Sequence, residues 1–575
     1  MKDFLKLTQN ELIKVCRQIS WRILTVIALV IAAALPLLGY GISLLGTGHT
    51  DYRELADRVT DSLQKAYYLT RADADDFFNE RNMGEDSWQY SYYYYDYVDV
   101  CCSIKALELM IADDEFRTVP DINEVFYIDG LERVWEGDRE TDKYTYRERI
   151  VNSLTGEVTY GDEQDFTPEL ARRLKRQLES EKIGLEKKIG IKFSVYINDK
   201  FAEYKKQYQQ AQNELNTVEA IYQNNKSVIN RYQIAKLKAE GLKIILQTQQ
   251  QMTYLDSVSL KRQNNIIDTL NTMANTVLNY SSDYAAISPE DFEAQGVYYY
   301  RGCEFRDYGK YTAAVQKQQD TYYQGLRQYG YALSNNIPIA SLDYSSTRKN
   351  LSDALAANTE VIMFLAIFLS AVIVANEHTS GAIRLLMIRP RSRWKILLSK
   401  LFCVVLYTVG LTVLTSLLTT LTEAAIYGGG DLNVPYIMVS GDSITELPPI
   451  LYYIYWNLIH ALPSVFSACT AFLLSVLAKR GVLALAVSML INVFGSLVSQ
   501  ISYDLIIKAE WLKFTPAPYF NITDAFPEPM ILTRSWNNPQ IYGLSLGAGT
   551  AVLLIYSLVL LITAFVIFDR EQIKN

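Results

Sequence analysis

The sequence predicts an α-helical membrane protein with six transmembrane helices and a large, mainly helical extracytoplasmic domain between the first two. Three observations predict this fold class: six long apolar segments, a polar stretch patterned for helices over residues 46–357, and basic residues gathered in alternate short segments. The 42 Tyr, 21 Phe and 7 Trp exclude a disordered chain, because so many rings must be buried. The formal net charge of −8 argues against nucleic acid as a partner.

Residues 1–22, which precede the first apolar segment, predict an amphipathic helix. Its cationic residues Lys6, Lys14 and Arg17 lie away from an apolar stripe. Such a helix lies in the interface between lipid headgroups and hydrocarbon. The predicted stripe consists of Leu5, Leu12, Val15, Cys16 and Ile19.

Six segments are long and apolar enough to span a membrane, which takes about 20 mainly apolar residues. They are residues 23–45, 358–375, 401–422, 450–478, 482–503 and 541–568. The first segment could be a cleaved signal peptide, but its apolar run is longer than the core of such peptides and no convincing cleavage site follows it. We therefore expect a retained anchor.

Basic residues predict the orientation of the spans, because Lys and Arg are enriched in short cytoplasmic loops. They gather before the first span, in residues 376–400, and between the fourth and fifth spans. Together with the tail 569–575 these segments carry +10, which leaves −18 for the rest of the chain. Both termini are therefore predicted to be cytoplasmic, and residues 46–357 and 504–540 extracytoplasmic.

A small β element is expected in the extracytoplasmic domain between about residues 120 and 165. Residues 124–128 predict a strand, and Asp129-Gly130 a turn after it. Residues 147–160 predict a β-hairpin.

Two helix starts in this domain are marked by a hydroxyl residue followed by proline, at Thr167-Pro168 and Ser288-Pro289. The hydroxyl caps the first turn, and proline suits the first helical position because its missing N–H is not needed there. After the first start, one helical stripe carries Leu170, Leu174, Leu178 and Leu185.

Residues 201–222 keep a 3-4 spacing of apolar side chains over three heptads. The pattern predicts an antiparallel helical hairpin, or short coiled coil, that projects from the membrane and continues through 229–232. The alternative is a stripe packed on a globular core. The spaced residues are Phe201, Tyr204, Tyr208, Ala211, Leu215, Val218 and Tyr222.

Residues 90–97 are rich in tyrosine, whose ring is apolar and whose hydroxyl is polar. The cluster could bind a ligand, a glycan or the membrane interface. We favour a tyrosine-rich helix packed inside the domain, since no other sign of a site lies nearby.

The cysteines of this domain permit a disulfide but do not determine it. Cys101 or Cys102 could bridge to Cys303 on the extracytoplasmic side. No Cys/His spacing typical of a metal site occurs, and with three histidines a zinc site is not expected.

Residues 376–400 contain six cationic residues, a glycine and an Arg-Pro break, which exceeds what a short turn between spans requires. Their order resembles the segment between the second and third spans of ABC-2 type transporter permeases. The matching residues are Glu377, Gly381, Ile383, Arg384, Leu385, Leu386, Arg389, Pro390, Ser392, Arg393 and Ile396. Residues 1–22 similarly resemble the elbow helix of that family, and residues 511–516 resemble an outer loop of its Gram-positive members.

The resemblance covers residues 1–45 and 358–575 and implies a permease subunit of an ATP-binding cassette exporter in a plasma membrane. It implies two permease copies, identical or similar, and a separate ATPase subunit that binds ATP and Mg. Residues 376–400 would be the coupling loop that docks on this ATPase. Its expected contacts are Glu377, Gly381, Arg384, Arg389, Pro390 and Arg393, with Trp394 as an interfacial anchor.

The chain lacks the motifs of an enzyme that works alone. It has no G-x-x-x-x-G-K-[ST], no G-x-S-x-G and no H-E-x-x-H. No cofactor is therefore expected in this chain, and ATP hydrolysis would belong to the partner. The insertion over 46–357, which short family members lack, leaves a second hypothesis of another class: an envelope receptor or anchor whose domain binds a wall component, peptide or protein.

Four residues in the apolar spans are candidates for lining a pathway: Glu360, Thr412, Ser416 and His460. Carboxylates at membrane depth are costly and usually face a cavity or a partner, although Glu360 could also lie above the hydrocarbon. Thr412 and Ser416 belong to a face of small hydroxyl residues, for which helix packing, including a dimer contact, is the favoured use. His460 could instead make a hydrogen bond within the bundle.

Overall fold

The fold is that of a computed structural model, which describes residues 2–46, 51–84, 87–112, 125–136, 139–151, 158–252, 255–279, 285–300, 303–339, 347–381, 392–428, 430–441, 443–506, 509–522 and 543–570. The described helices are α1 (Lys2–Arg17), α2 (Ile19–Gly46), α3 (Tyr52–Arg58), α4 (Ser62–Asn79), α5 (Trp88–Ala112), α6 (Pro168–Ile189), α7 (Phe193–Asn224), α8 (Ile229–Gln251), α9 (Leu260–Leu278), α10 (Pro289–Gln295), α11 (Tyr308–Ser334), α12 (Thr347–Thr379), α13 (Arg393–Tyr427), α14 (Pro449–Ala478), α15 (Gly481–Ile506) and α16 (Leu546–Arg570). The described strands are β1 (Leu131–Glu136), β2 (Arg139–Tyr146), β3 (Arg149–Val151), β4 (Val158–Tyr160), β5 (Gln164–Asp165), β6 (Tyr298–Tyr300), β7 (Cys303–Phe305), β8 (Tyr436–Ser440) and β9 (Ser443–Leu447).

The chain is a mainly helical membrane protein. Five helices are long and apolar enough to cross a membrane: α2, α12, α13, α14 and α16. The two parts of α15 meet at 48° and make a sixth crossing if they form one span.

The helices that flank the predicted coupling loop are longer than their apolar runs. Because α12 begins at Thr347, the end of the predicted domain 46–357 belongs to this helix. Because α12 ends at Thr379 and α13 begins at Arg393, residues 380–392 connect them, rather than the whole of 376–400.

Helix α12 lies at the centre of the membrane bundle. It packs against α2, α13, α14 and α15, and 61% of its most apolar window is buried, compared with 22% for α13. Small side chains permit this central position, since Ala371 meets Ala471 of α14 and Ala484 of α15. A displacement of α12 would therefore reach every helix around it.

The bend in α15 has a local cause. Gly495 and Ser496 stand at the break, and Gly/Ser pairs are common sites of sharp kinks. The ring of Phe520 lies where a Cβ at position 495 would be, and the Ser499 hydroxyl donates to the Pro518 carbonyl at 2.8 Å. A short 3₁₀ segment after the helix thus packs directly into the bend.

The domain between α2 and α12 has its own apolar core. Helices α4 to α9 and α11 contribute to it, and its largest fully buried side chains include Trp88, Phe78, Phe126 and Phe201. The leucine stripe of α6 faces this core, as the sequence predicts. Both predicted helix starts are also confirmed: the Thr167 hydroxyl accepts from Leu170 N at 3.3 Å, and that of Ser288 from Asp291 N at 3.1 Å.

The predicted helical hairpin is formed by α7 and α8, which pack together on either side of a turn at Asn225. It does not stand free, however. Phe201 and Tyr204 are buried in the domain core, and near the turn the Gln233 side chain accepts from Ala286 N at 2.6 Å. The prediction of a projecting hairpin is therefore wrong in that respect, because both ends of the hairpin find packing partners.

The predicted β-hairpin is confirmed, whereas the predicted strand before it is not. Strands β3 and β4 pair antiparallel within the predicted hairpin, and Ile150 lies opposite Thr159. The strand expected over 124–128 is not formed in residues 125–128. The turn at Asp129-Gly130 instead precedes β1, since Gly130 has φ +81° and its carbonyl accepts from Arg147 N at 2.8 Å.

The tyrosine-rich segment packs inside the domain, as favoured from the sequence. Tyr93, Tyr94 and Tyr97 are buried in α5, whereas Tyr95 is 67% exposed. The possible disulfide is not formed: Cys102 lies in the core of the domain, and Cys303 lies in a second apolar cluster together with Tyr452 of α14.

The domain rests on the bundle through α11 and a hairpin that the sequence analysis did not predict. This hairpin, β8–β9, connects α13 to α14. The Gln328 side chain donates to the Ile437 carbonyl at 2.5 Å, Arg327 to that of Gly441 at 2.9 Å, and Tyr331 to Glu446 at 2.8 Å.

Candidate functional site

Four charged side chains from three separate helices meet at the two ends of the segment 380–392. We call Glu11, Lys14, Glu377 and Lys400 the charged cluster. Lys400 Nζ lies 2.6 Å from Glu377 Oε1 and 3.1 Å from Glu11 Oε2. Lys14 Nζ lies 2.9 Å from Glu11 Oε1 and 3.5 Å from Glu377 Oε1.

The cluster joins α1 to the last turn of α12 and to the second turn of α13. Glu377 stands two residues before α12 ends, and Lys400 stands seven residues after α13 begins. Both ends of the connecting segment are therefore fixed to the same amphipathic helix.

Burial makes this cluster energetically important. The Lys400 side chain is 0% exposed, that of Glu11 is 9% exposed and that of Glu377 is 12% exposed. A buried ion costs several kcal/mol in lost hydration, and a partner of opposite charge at short range offsets that cost. The positive charges of the two lysines equal the negative charges of the two carboxylates. Glu377 Oε2 is nevertheless buried without a hydrogen-bond partner among the described residues.

The shifts of pKa in α1 agree with an ionised cluster. Burial acts to raise the pKa of Glu11, but Lys400 and Lys14 outweigh it and the net shift is downward. Burial acts to lower the pKa of Lys14, but Glu11 and Glu377 outweigh it and the net shift is upward. Both side chains are therefore held in their charged forms.

Apolar contacts support the same junction. Val15 and Trp21 belong to a cluster with Leu397 and Cys403 of α13. The Trp21 ring lies 5.4 Å from that of Phe368 in α12 and 5.8 Å from that of Tyr407 in α13.

The buried face of α1 differs from the predicted stripe. Thr8, Glu11 and Val15 are buried and Leu12 is half-buried, whereas Cys16 is exposed and Ile19 is 74% exposed. The Leu5 side chain lies outside the described residues. The helix turns a carboxylate inward because Lys400 and Lys14 lie within contact distance of it, which hydropathy alone does not indicate.

Four of the predicted docking residues are described. Glu377 belongs to the charged cluster, and Gly381 has φ +71°, a conformation that favours glycine. Arg393 Nη1 donates to the Asp569 carbonyl at 3.1 Å, and Trp394 is half exposed at the start of α13. Arg384, Arg389 and Pro390 lie outside the described residues.

From the sequence, Lys14 is predicted to belong to the cationic face of an amphipathic helix and Lys400 to the basic segment 376–400, and Glu11 is not singled out. One signal could have indicated them: Glu11 interrupts the apolar pattern of α1, and Lys400 directly adjoins the apolar run 401–422. A lone charge at such a position requires a partner.

The four candidate pathway residues divide into two groups. Glu360 Oε1 lies 3.6 Å from His460 Nδ1, so these two are brought together. Thr412 and Ser416 are half-buried on α13, where the Thr412 hydroxyl donates to the Thr408 carbonyl of its own helix. The same face carries the buried Thr419, whose hydroxyl donates to the Ala32 carbonyl of α2, which agrees with the favoured packing role.

The family comparison concerns mainly the membrane part. Residues 341–573 match a family model described as a protein of unknown function, DUF2705. A protein of Bacillus subtilis (strain 168) described as uncharacterised, YhcI, is 28% identical over 260 residues, which are 45% of this chain and 78% of that protein. No solved structure matches the chain.

Proposed function

We propose that this chain is the permease subunit of an ATP-binding cassette exporter of the ABC-2 type, energised by a separate ATPase subunit. The observation that carries the proposal is the charged cluster. It fixes both ends of a strongly basic connection to one amphipathic helix, and one of those ends belongs to the central helix of the bundle.

The arrangement suits the transmission of force. An ATPase that contacts residues 380–392 would push on α12 and α13 together, because Lys400 connects the end of one to the start of the other. Movement of α12 would alter its contacts with α2, α14 and α15. Alternating access would follow from that rearrangement, with binding and hydrolysis of ATP and Mg left to the partner.

The proposed topology has six spans, with α15 as the bent fifth span. Both termini and the segment 380–392 face the cytoplasm, and the domain between α2 and α12 lies outside. The support is the distribution of Lys and Arg in the short connections. Two copies of the chain, or one copy and a similar partner, would enclose the pathway in the plasma membrane of a Gram-positive bacterium.

The test is purification of the chain from its native membrane in mild detergent, with mass spectrometry of the proteins that accompany it. We expect a stoichiometric protein with a G-x-x-x-x-G-K-[ST] motif. The double variant Arg389→Glu with Arg393→Glu should lose that partner and the associated ATP hydrolysis while remaining in the membrane, because it replaces two cations by anions where the partner binds.

The matched control is Lys479→Glu with Arg480→Glu, the same charge change in the short connection between α14 and α15. It should retain the partner. Recovery of the wild-type chain without any ATPase, or equal loss in both double variants, would refute the docking assignment.

One observation favours the second candidate, an envelope receptor or anchor. The outer domain has an extensive core of its own, which mere support of a transport pathway does not require. On this reading, wall components or neighbouring envelope proteins would accompany the purified chain in place of an ATPase.

A further inference from the structure

Glu360 differs from its neighbours on α12 in having an open side. Asn358 and Thr359 are buried. The Asn358 side chain donates to Thr419 of α13, and the Thr359 hydroxyl donates to Asn457 of α14 at 2.5 Å. The Glu360 side chain is 42% exposed, and its described partner is His460, 25% exposed and 3.6 Å away.

This Glu–His pair is not a closed ion pair. An N–H···O hydrogen bond normally spans about 2.7–3.2 Å, so 3.6 Å leaves the carboxylate incompletely satisfied. The charged cluster provides a contrast within the same chain, because there Lys400 approaches both carboxylates to 3.1 Å or less. Glu360 therefore keeps the capacity to accept a further cation.

The pair lies close to one boundary of the hydrocarbon. Glu360 is seven residues, or about 10 Å, from the start of the span at Asp353, and His460 is eleven residues, or about 16 Å, from Pro449. Both helices are longer than the roughly 30 Å of a bilayer core, so several ångströms at each end lie outside it. If each helix is centred on the bilayer, Glu360 lies about 5 Å and His460 about 9 Å inside the boundary, within the leaflet on that side.

Aromatic rings flank the pair on α14. The Trp456 and His460 rings meet edge to face at 5.5 Å, and Trp456 stacks with Tyr452 at 6.5 Å. The Glu360 carboxylate and the Trp456 indole are thus both neighbours of the His460 ring. A carboxylate together with an indole recognises alkylammonium groups, since both attract a cation of low hydration. A simple metal cation would instead require several oxygen ligands.

We propose that Glu360 and Trp456, which both neighbour His460, bind the cationic headgroup of an amphiphile that lies in the outer leaflet. The inference rests on the proposed function and deepens it, because it assigns the substrate class to cationic amphiphiles. The carboxylate neutralises the headgroup, the indole contacts its alkyl substituents, and the hydrocarbon tail remains at the depth of the leaflet.

The experiment measures binding of radiolabelled hexadecyltrimethylammonium to the full chain in phosphatidylcholine nanodiscs, with empty nanodiscs as background. We expect saturable binding that excess unlabelled hexadecanol, of equal chain length and no charge, does not displace. Glu360→Gln should weaken binding by about tenfold or more, because the neutral amide cannot pair with the ammonium.

Two variants of His460 make the test independent of a folding defect. His460→Lys places a permanent ammonium beside Glu360 and should abolish binding, whereas His460→Ala should retain it. Glu293→Gln, in an exposed position of the outer domain, is the matched control and should bind like the wild type. Thermal unfolding midpoints identify any variant that has simply lost its fold.

Three results would overturn the proposal: wild-type affinity in Glu360→Gln, equal displacement by hexadecanol, or no saturable binding at all. The measurement uses no ATPase, so its failure is distinct from a failure of docking. An ATPase that accompanies a chain without this binding would leave the transporter proposal standing with another substrate class.

Discussion

Removal of the Lys400 ammonium would leave Glu11 and Glu377 buried together, with the half-exposed Lys14 as their remaining counter-ion. Breaking a buried ion pair by deleting one partner typically costs about 3–5 kcal/mol, because the other charge stays buried and uncompensated. We therefore expect Lys400→Met to lower the free energy of unfolding by that order. Thermal unfolding of the purified chain, followed by intrinsic fluorescence, measures the loss.

Lys395→Met is the matched control for this prediction, since Lys395 is exposed on the same helix. The triple variant that adds Glu11→Gln and Glu377→Gln to Lys400→Met should recover much of the lost stability, because no buried charge then remains. An unfolding midpoint for Lys400→Met equal to that of Lys395→Met would show that the cluster does not stabilise the fold.

The charged cluster also marks the limit of what single residues indicate. Glu11 and Lys400 are 389 positions apart, and nothing in either local sequence identifies the other as its partner. Glu360 and His460 can each be recognised from the sequence as ionisable side chains in apolar spans, where such side chains are costly. Their contact, however, depends on the packing of α12 against α14. The residue types were therefore enough to identify candidate site residues, but only the fold shows which of them are in contact.

At the scale of elements, apolar length was sufficient to predict five helices that can cross a membrane, because a lipid environment leaves few alternatives to a long helix. The sixth predicted span stands only if the two parts of α15 form one crossing. The boundaries were less well predicted, since α12 and α13 continue into polar sequence at both ends. The hairpin β8–β9 was missed although its sequence contains a signal. A short run that contains Tyr436, Ile437 and Val439, all residues that favour strands, is followed by Gly441, which has φ +57°. The whole hairpin lies between prolines at positions 435 and 448.

The bend of α15 leads to a second prediction. Gly495→Ala would place a methyl group inside the ring of Phe520, so that the ring and its 3₁₀ segment must move. Overpacking of this kind costs about 1–3 kcal/mol. The unfolding midpoint of Gly495→Ala should fall accordingly.

Gly410→Ala is the control for this change, because a Cβ at position 410 of α13 meets no atom within 4 Å. The cost of Gly495→Ala should largely disappear when Phe520 is already alanine, and this coupling is measurable in a double-mutant cycle. Additive effects of the two substitutions would mean that Phe520 does not hold the bend.

At the scale of the whole molecule, the domain between α2 and α12 and the bundle are joined by polar contacts at more than one place. Helix α11 contacts the hairpin β8–β9 through Arg327, Gln328 and Tyr331. At its other end, Lys310 Nζ lies 2.6 Å from Glu510 in the connection after α15. Since β8–β9 leads directly into α14, the domain is coupled to the helix that carries His460.

From these contacts we predict that loosening α11 exposes the hairpin to solvent while leaving the end of the bundle that holds α1 unchanged. In Gln328→Ala with Tyr331→Phe, the Ile437 carbonyl and Glu446 lose their donors, and β8–β9 loses its support. Amide hydrogen exchange over residues 436–447 should become faster by about tenfold or more, because local opening there costs less free energy. Exchange in α1 should stay as in the wild type.

Gln316→Ala provides the matched comparison, because this exposed glutamine of α11 bonds to Asp320 of its own helix. If both variants exchange alike over 436–447, the domain rests on the bundle without depending on these contacts. If only the double variant opens, a ligand that shifts the domain between α2 and α12 must also shift the start of α14. Movement of the domain between α2 and α12 and the Glu360–His460 pair would then be mechanically linked.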